Sequence, residues 1–148
     1  MKRFHSALLI AALVLSLSQP VALSAAENKD TLTWAQGADV TSLDPHIGKE
    51  TPAIMATNQI FDTLFTTDDE GKIVGQIAES WKYLSDTELE VHVRSGIKFH
   101  DGSPLSASDV KFSLDRAIAS TAVSYIVNFI KEVRVVDDHT VVIETAKP

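Results

Sequence analysis

Histidines, serines and carboxylates are the groups in this 148-residue sequence that could bind a metal, attack a bond or move a proton. Cysteine is absent, which excludes a disulfide scaffold, a cysteine zinc site and a thiol nucleophile. The histidines are His5, His46, His92, His100 and His139, and none forms a His-x-x-His or i, i+4 helical pair. His92 and His100 would face each other if their strands paired as a hairpin, which is the one two-histidine nickel or zinc geometry the spacing permits. Surface histidines on strands are the commoner case, and no metal or other cofactor is assigned. No Gly-x-Ser-x-Gly elbow activates any serine. Asp109 and Asp115 are six apart on one predicted helix and cannot act as an acid–base pair. Glu88 and Glu90 share a strand face without apolar shielding, so neither is expected to titrate unusually. Asp68-Asp69-Glu70-Gly71 lacks calcium-loop spacing and reads as a solvated turn. Trp34, Trp81, Tyr83 and Tyr125 could line a ligand cleft, and core packing is at least as good a use for the two tryptophans. Nothing here makes an enzyme.

The elements around these residues follow from periodicity. Thr31–Ala35 alternates and is rich in β-formers, which predicts a strand. Asp44-Pro45 predicts a turn. Thr51-Pro52 predicts a helix start, with Thr51 as N-cap, running to about Phe65 with Ile54, Asn58, Phe61 and Phe65 on one face. Leu89, Val91 and Val93 alternate with Glu90, His92 and Arg94, a strand with one wet face. Glu132–Val136 and Val141–Thr145 predict two more strands around a turn at Asp137–Thr140, and Ala122–Ile130 reads as helix. The fold class is α+β, with mostly antiparallel strands and at least two helices packed on them.

The most strongly specified stretch is Ser95–Ala117. Ile97 and Phe99 alternate with Lys98 and His100 as a short strand, expected to pair with the strand before it. Asp101-Gly102 is a turn. Ser106 stands where an N-cap belongs, with Asp109 three residues on as a short capping-box partner. Val110, Leu114, Ala117 and Ile118 then form one apolar stripe over a helix of about Ala107–Ala119.

This stretch carries a resemblance. Gly96-Ile97-Lys98-Phe99-His100-Asp101-Gly102-Ser103-Pro104-Leu105-Ser106-Ala107-Ser108-Asp109-Val110, with Phe112-Ser113-Leu114-Asp115-Arg116-Ala117 after it, resembles the signature region of the peptide/nickel-type solute-binding proteins of ABC importers, extracytoplasmic family 5. The likeness runs from about Leu32 to Pro148, and Ala78-Glu79-Ser80-Trp81 shares it. It implies a periplasmic-binding-protein-like fold of type II, of which this chain is the N-terminal portion of a two-lobed clamp. Residues 27–54 would start the first lobe, and 55–148 would form a smaller subdomain beside it, the second lobe lying beyond Pro148. The implied function is to capture a peptide or related small solute in the periplasm and deliver it to an ABC permease in the cytoplasmic membrane, without catalysis. The residues just after Leu43-Asp44-Pro45-His46, namely Lys49, Glu50 and Thr51, would then lie near the ligand. A secreted stand-alone interaction module or a hydrolase is the alternative.

The N-terminus fits export. Lys2 and Arg3 precede the apolar run Ala7–Leu17 and the small residues Ser24-Ala25-Ala26, a cleavable signal peptide over residues 1–26. The run is too short for a bilayer span, which needs roughly 20 residues. Without cysteine there is no lipid anchor, and a freely diffusing periplasmic monomer is expected. The formal charge is −7, and the signal contains two of the cations and no carboxylate. Such an acidic chain, with no basic cluster, is not expected to bind nucleic acid through its phosphates.

Overall fold

A computed structural model of the chain describes residues 30–148, so the signal-peptide assignment to residues 1–26 lies outside the described residues. The chain divides into two units, Met1–Ala35 and Gln36–Pro148, and of the first only residues 30–35 are described. In the first, Thr31–Ala35 forms no strand, contrary to its alternation. Propensity only suits a segment to a pleated surface, and a strand needs a neighbour to complete its ladder.

The second unit holds every regular element described. In chain order these are α1 (Thr51–Thr57), β1 (Phe65–Thr67), β2 (Ile73–Gly75), β3 (Ala78–Ser85), β4 (Glu88–Val93), α2 (Ala107–Ala119), α3 (Ser124–Val127), β5 (Ile130–Asp137) and β6 (Thr140–Thr145). Strands β1 and β2 make a small antiparallel hairpin over the acidic turn, with Asp68 N–H donating to the Lys72 carbonyl at 3.0 Å. The other four build an antiparallel sheet in the order β3-β4-β6-β5, which confirms the α+β class.

Alternation along the strands divides the sheet into two faces. Val91 and Val93 of β4, Val133 of β5, and Val141 and Ile143 of β6 form the core with Ala78, Ile130 and, from α2, Ala107 and Val110. Leu114 and Ile118 of α2 pack against it partly buried, and Ala117 is buried. The stripe read from the sequence is therefore the face that α2 buries. The opposite sheet face carries paired charges, Lys82 with Glu90 at 2.8 Å, Arg134 with Glu88 and Lys131 with Glu144. Such exposed pairs add little stability.

The start of α2 is fixed locally. The Asp109 carboxylate reaches back to the Ser106 N–H at 2.8 Å and the Ser106 hydroxyl at 2.7 Å. The Ala107 N–H donates to the carbonyl of Asp138 in the β5–β6 turn at 2.8 Å, so the helix entry is tied to the sheet as well. Replacing Asp109 with alanine is expected to cost about 1 kcal/mol, the usual value of an N-terminal cap. Urea denaturation checks this, and an unchanged midpoint would show that the Asp138 contact alone sets the entry.

Three further expectations are corrected. Helix α1 ends at Thr57 rather than near Phe65, which opens β1. Its buried face is Ala53 and Thr57, while Ile54, Met55 and Phe61 are exposed. The Thr57 hydroxyl donates to the carbonyls of Ala53 at 3.0 Å and Ile54 at 3.1 Å, taking up acceptors at the helix end. Ile97–Phe99 does not pair with β4, because β3 and β6 already occupy both edges of β4. It folds back instead on Ser103–Leu105, with Phe99 N–H to the Ser103 carbonyl at 2.9 Å and Leu105 N–H to the Ile97 carbonyl at 3.0 Å. Gly102, at φ +87°, makes that reversal possible. Finally, Ala122–Ile130 is helical only over Ser124–Val127, and Ile130 already belongs to β5.

Candidate functional site

The loop before α1 is organised by Asp44. Its N–H donates to the Ser42 hydroxyl oxygen at 3.0 Å, and its Oδ1 accepts from the His46 N–H at 2.9 Å. Its carbonyl accepts from the N–H groups of Ile47 and Gly48, both at 3.1 Å. The Asp-Pro turn expected from the sequence is thus present, closed by its own side chain. Gly48 allows the loop to close on α1. A Cβ there would stand 2.8 Å from the Ala53 Cβ and 3.2 Å from the Ser42 carbonyl oxygen.

This loop is fastened to α2. Arg116 donates from Nη1 to Asp44 Oδ1 at 2.8 Å and from Nη2 to Asp44 Oδ2, a bidentate pair joining residues 72 apart. Nη1 also meets His46 Nδ1 at 2.9 Å. Since arginine only donates, His46 accepts there and carries its proton on Nε2. The Ser120 hydroxyl donates to the His46 carbonyl at 2.6 Å. His46, Ile47, Arg116, Ala119, Ser120 and Thr121 line a shallow recess of about 320 Å³. Asp44 neutralises Arg116, so the recess is not an anion trap.

The electrostatics follow from these contacts. The Arg116 hydrogen bonds, then the His46 N–H, hold the Asp44 carboxyl down at about 2. Burial, then the Arg116 charge, lowers the His46 pKa. Both shifts act in one direction. The His46 contribution is complete above its ordinary value of 6.5 and falls as pH drops below it. The Asp44 contribution is complete above 3.8 and is lost as pH falls through about 2. The Ile47 and Gly48 amides should therefore exchange slowly near neutral pH, lose some protection as His46 protonates, and lose most of it below about pH 4. Hydrogen exchange checks this, and protection that persists at pH 2 would show that the ion pair does not hold the loop.

The candidate ligand residues follow directly. Lys49, Glu50 and Thr51 are all exposed. Glu50 occupies the N-cap position of α1 in extended geometry and Thr51 is the first helical residue, so Thr51 is not the cap. The Glu50 carboxylate accepts from the Thr41 hydroxyl at 3.0 Å, which ties the two ends of the loop. Its own backbone N–H, then Thr41, lower its pKa.

The other candidates do not converge. His92 sits between Glu90, at 3.1 Å from Nε2, and Thr140, at 3.2 Å from Nδ1. The pairing that was to bring His100 opposite it does not form. Among the described residues no group of three or more histidines, aspartates and glutamates could hold a metal ion. Lys82, and to a smaller extent His92, hold the Glu90 carboxyl below its ordinary value, contrary to the expectation of ordinary titration. Asp101 accepts the Ser103 hydroxyl at 2.6 Å and N–H at 2.9 Å, which lowers its pKa and makes it a turn residue rather than an acid. Trp81 packs edge-on against Phe65 with centroids 5.0 Å apart but stays 38% exposed, at the edge of the core rather than in it. Tyr83 and Tyr125 are exposed on separate elements, β3 and α3, and Trp34 lies in the first unit. Sequence reasoning missed Arg116. Its one signal was a position off the apolar stripe of α2, which names no partner.

Comparison with known proteins agrees with this architecture. Residues 72–148 match the family described as "Bacterial extracellular solute-binding proteins, family 5 Middle". The periplasmic oligopeptide-binding protein OppA of Escherichia coli K12 is 29% identical over 97% of this chain and 30% of its own length. Among solved structures, MoaA from A. tumefaciens R10 in complex with mannopinic acid matches with TM-score 0.68 and 31% identity, over 73% of this chain and 24% of that one. Haemophilus influenzae OppA in complex with RPPGFSPFR matches with TM-score 0.68 and 28% identity, over 76% and 26%. The chain thus spans less than a third of the length of these relatives. It belongs to the bacterial extracellular solute-binding proteins of family 5.

Proposed function

We propose that this protein captures a peptide outside the cytoplasmic membrane and passes it to an ABC permease, without making or breaking bonds. The observation that carries the reading is the loop ending at Lys49–Thr51. It lies outside any sheet ladder and is exposed, yet its base is fastened to α2 by Arg116 and Ser120. An exposed, fastened backbone segment of this kind suits hydrogen bonding to an extended peptide. The names of two similar proteins, both oligopeptide-binding, support peptide over other solutes. In this reading residues 27–54 open the first lobe of a clamp and 55–148 form the adjoining subdomain. The protein works as a periplasmic monomer after loss of residues 1–26. No helix among the described residues is long and apolar enough to cross a membrane.

Titration calorimetry tests the proposal. Trialanine should release saturable heat and remain intact afterwards, with weaker or no binding of glutathione, a nickel–histidine complex and mannopinic acid. No binding across that panel, or conversion of any member, would overturn it.

A further inference from the structure

The hydrogen bonds that join residues 41–51 to the sheet-and-helix body come, among the described residues, from two side chains of the α2 end, Arg116 and Ser120. Within the loop, the contacts at Asp44, Gly48 and Glu50 make a stiff local unit. A stiff loop still needs a fixed orientation. The chain that continues from it is α1, only seven residues long, with only Ala53 and Thr57 buried.

We infer that Arg116 is the positioning residue of the proposed solute-contacting segment: it orients Lys49, Glu50 and Thr51 by clamping Asp44 and His46, without touching the solute itself. This rests on the peptide-binding reading above. The guanidinium suits the task because its planar fork meets both carboxylate oxygens at once and still shares Nη1 with the imidazole. A lysine ammonium would keep the charge and lose the fork. Before binding, a clamped loop has already lost the freedom that an unclamped one must give up on binding, and that difference appears as affinity. The Arg116 side chain is 41% exposed and its partner Asp44 27%, so the pair should matter little to global unfolding. Loop order and solute affinity should therefore change while the sheet does not.

The test uses the whole chain with Arg116→Gln, Arg116→Lys, Asp44→Asn and the Asp44→Asn/Arg116→Gln double variant. Amide exchange at Ile47 and Gly48 should speed up roughly tenfold or more in Arg116→Gln, with Val91 and Val141 unchanged. Trialanine affinity by calorimetry should fall roughly tenfold, the lysine variant should lie between, and the double variant should be no weaker than the worse single one. Three results would overturn the inference: loop amides as protected as in the parent, sheet amides that loosen equally, or unchanged affinity despite a loosened loop. If the parent chain binds no trialanine, the functional reading fails and the solute role of Arg116 fails with it. If the parent binds and every variant binds equally well, only the role of Arg116 fails.

Discussion

Val91→Asp is expected to abolish the cooperative thermal unfolding of the chain. Val91 is fully buried on β4, the strand flanked by β3 and β6, and faces Trp81 on one side and Val141 on the other across the ladder. Its neighbours in the core are apolar, so a carboxylate there would have no partner. An uncompensated buried charge costs several kcal/mol. A domain of this size is stable by only about 5–15 kcal/mol in total, so a loss of that order removes most of the folded population. A circular-dichroism melt gives the answer. A variant that still melts cooperatively within a few degrees of the parent would mean the sheet can expose this position, and the core assignment would be wrong.

Gly75→Ala is expected to be the second most damaging change, by a different mechanism. A Cβ at Gly75 would stand 2.1 Å from the Ala78 carbonyl oxygen, a contact that backbone must move to relieve. The corner between β2 and β3 is held by the N–H groups of Gln76 and Ala78, both 3.0 Å from the Leu64 carbonyl, and of Ile77, 3.1 Å from the Thr63 carbonyl. Shifting the Ala78 carbonyl disturbs all three and the start of β3. Overpacking of this kind costs about 1–3 kcal/mol, and the lost hydrogen bonds add to it. Gly37→Ala is the control, since a Cβ there meets nothing within 4 Å. Gly75→Ala should lower the melting temperature and speed exchange at Gln76, Ile77 and Ala78, whereas Gly37→Ala should do neither. Equal melting of the two variants would show that the corner has slack.

The two sites differ in how much the sequence announced. That Val91 is buried could be read from its alternation with Glu90 and His92, because side chains on a strand change face at every residue. The tightness at Gly75 could not, because it depends on a carbonyl three residues on, whose direction is set only when the chain turns the corner. The acidic turn at Asp68–Gly71 is intermediate. Its composition marked it as a turn, but β1 and β2, three residues each, are too short for alternation to identify.

What the sequence by itself determined is local. Helix α2 runs over Ala107–Ala119 as expected, because its cap residues, turn and apolar stripe all lie within some twenty residues and agree with one another. Strands β4, β5 and β6 appear where their alternation placed them, within a residue or two at each end. The family was also legible, in the run from Gly96 to Ala117. What only the tertiary structure decided is which distant segments meet. Alternation says which face a strand residue takes but not which strand lies beside it, and nothing within Ile97–Phe99 reveals that β3 and β6 occupy both edges of β4. Likewise nothing in Asp44-Pro45-His46 points to Arg116, 70 residues or more away, because an ion pair leaves no periodic trace in either partner's neighbourhood. The residues proposed to meet the solute could be suggested from the chain alone. The side chain that holds them in place emerged only once α2 had packed on the sheet and brought its last turn to the loop.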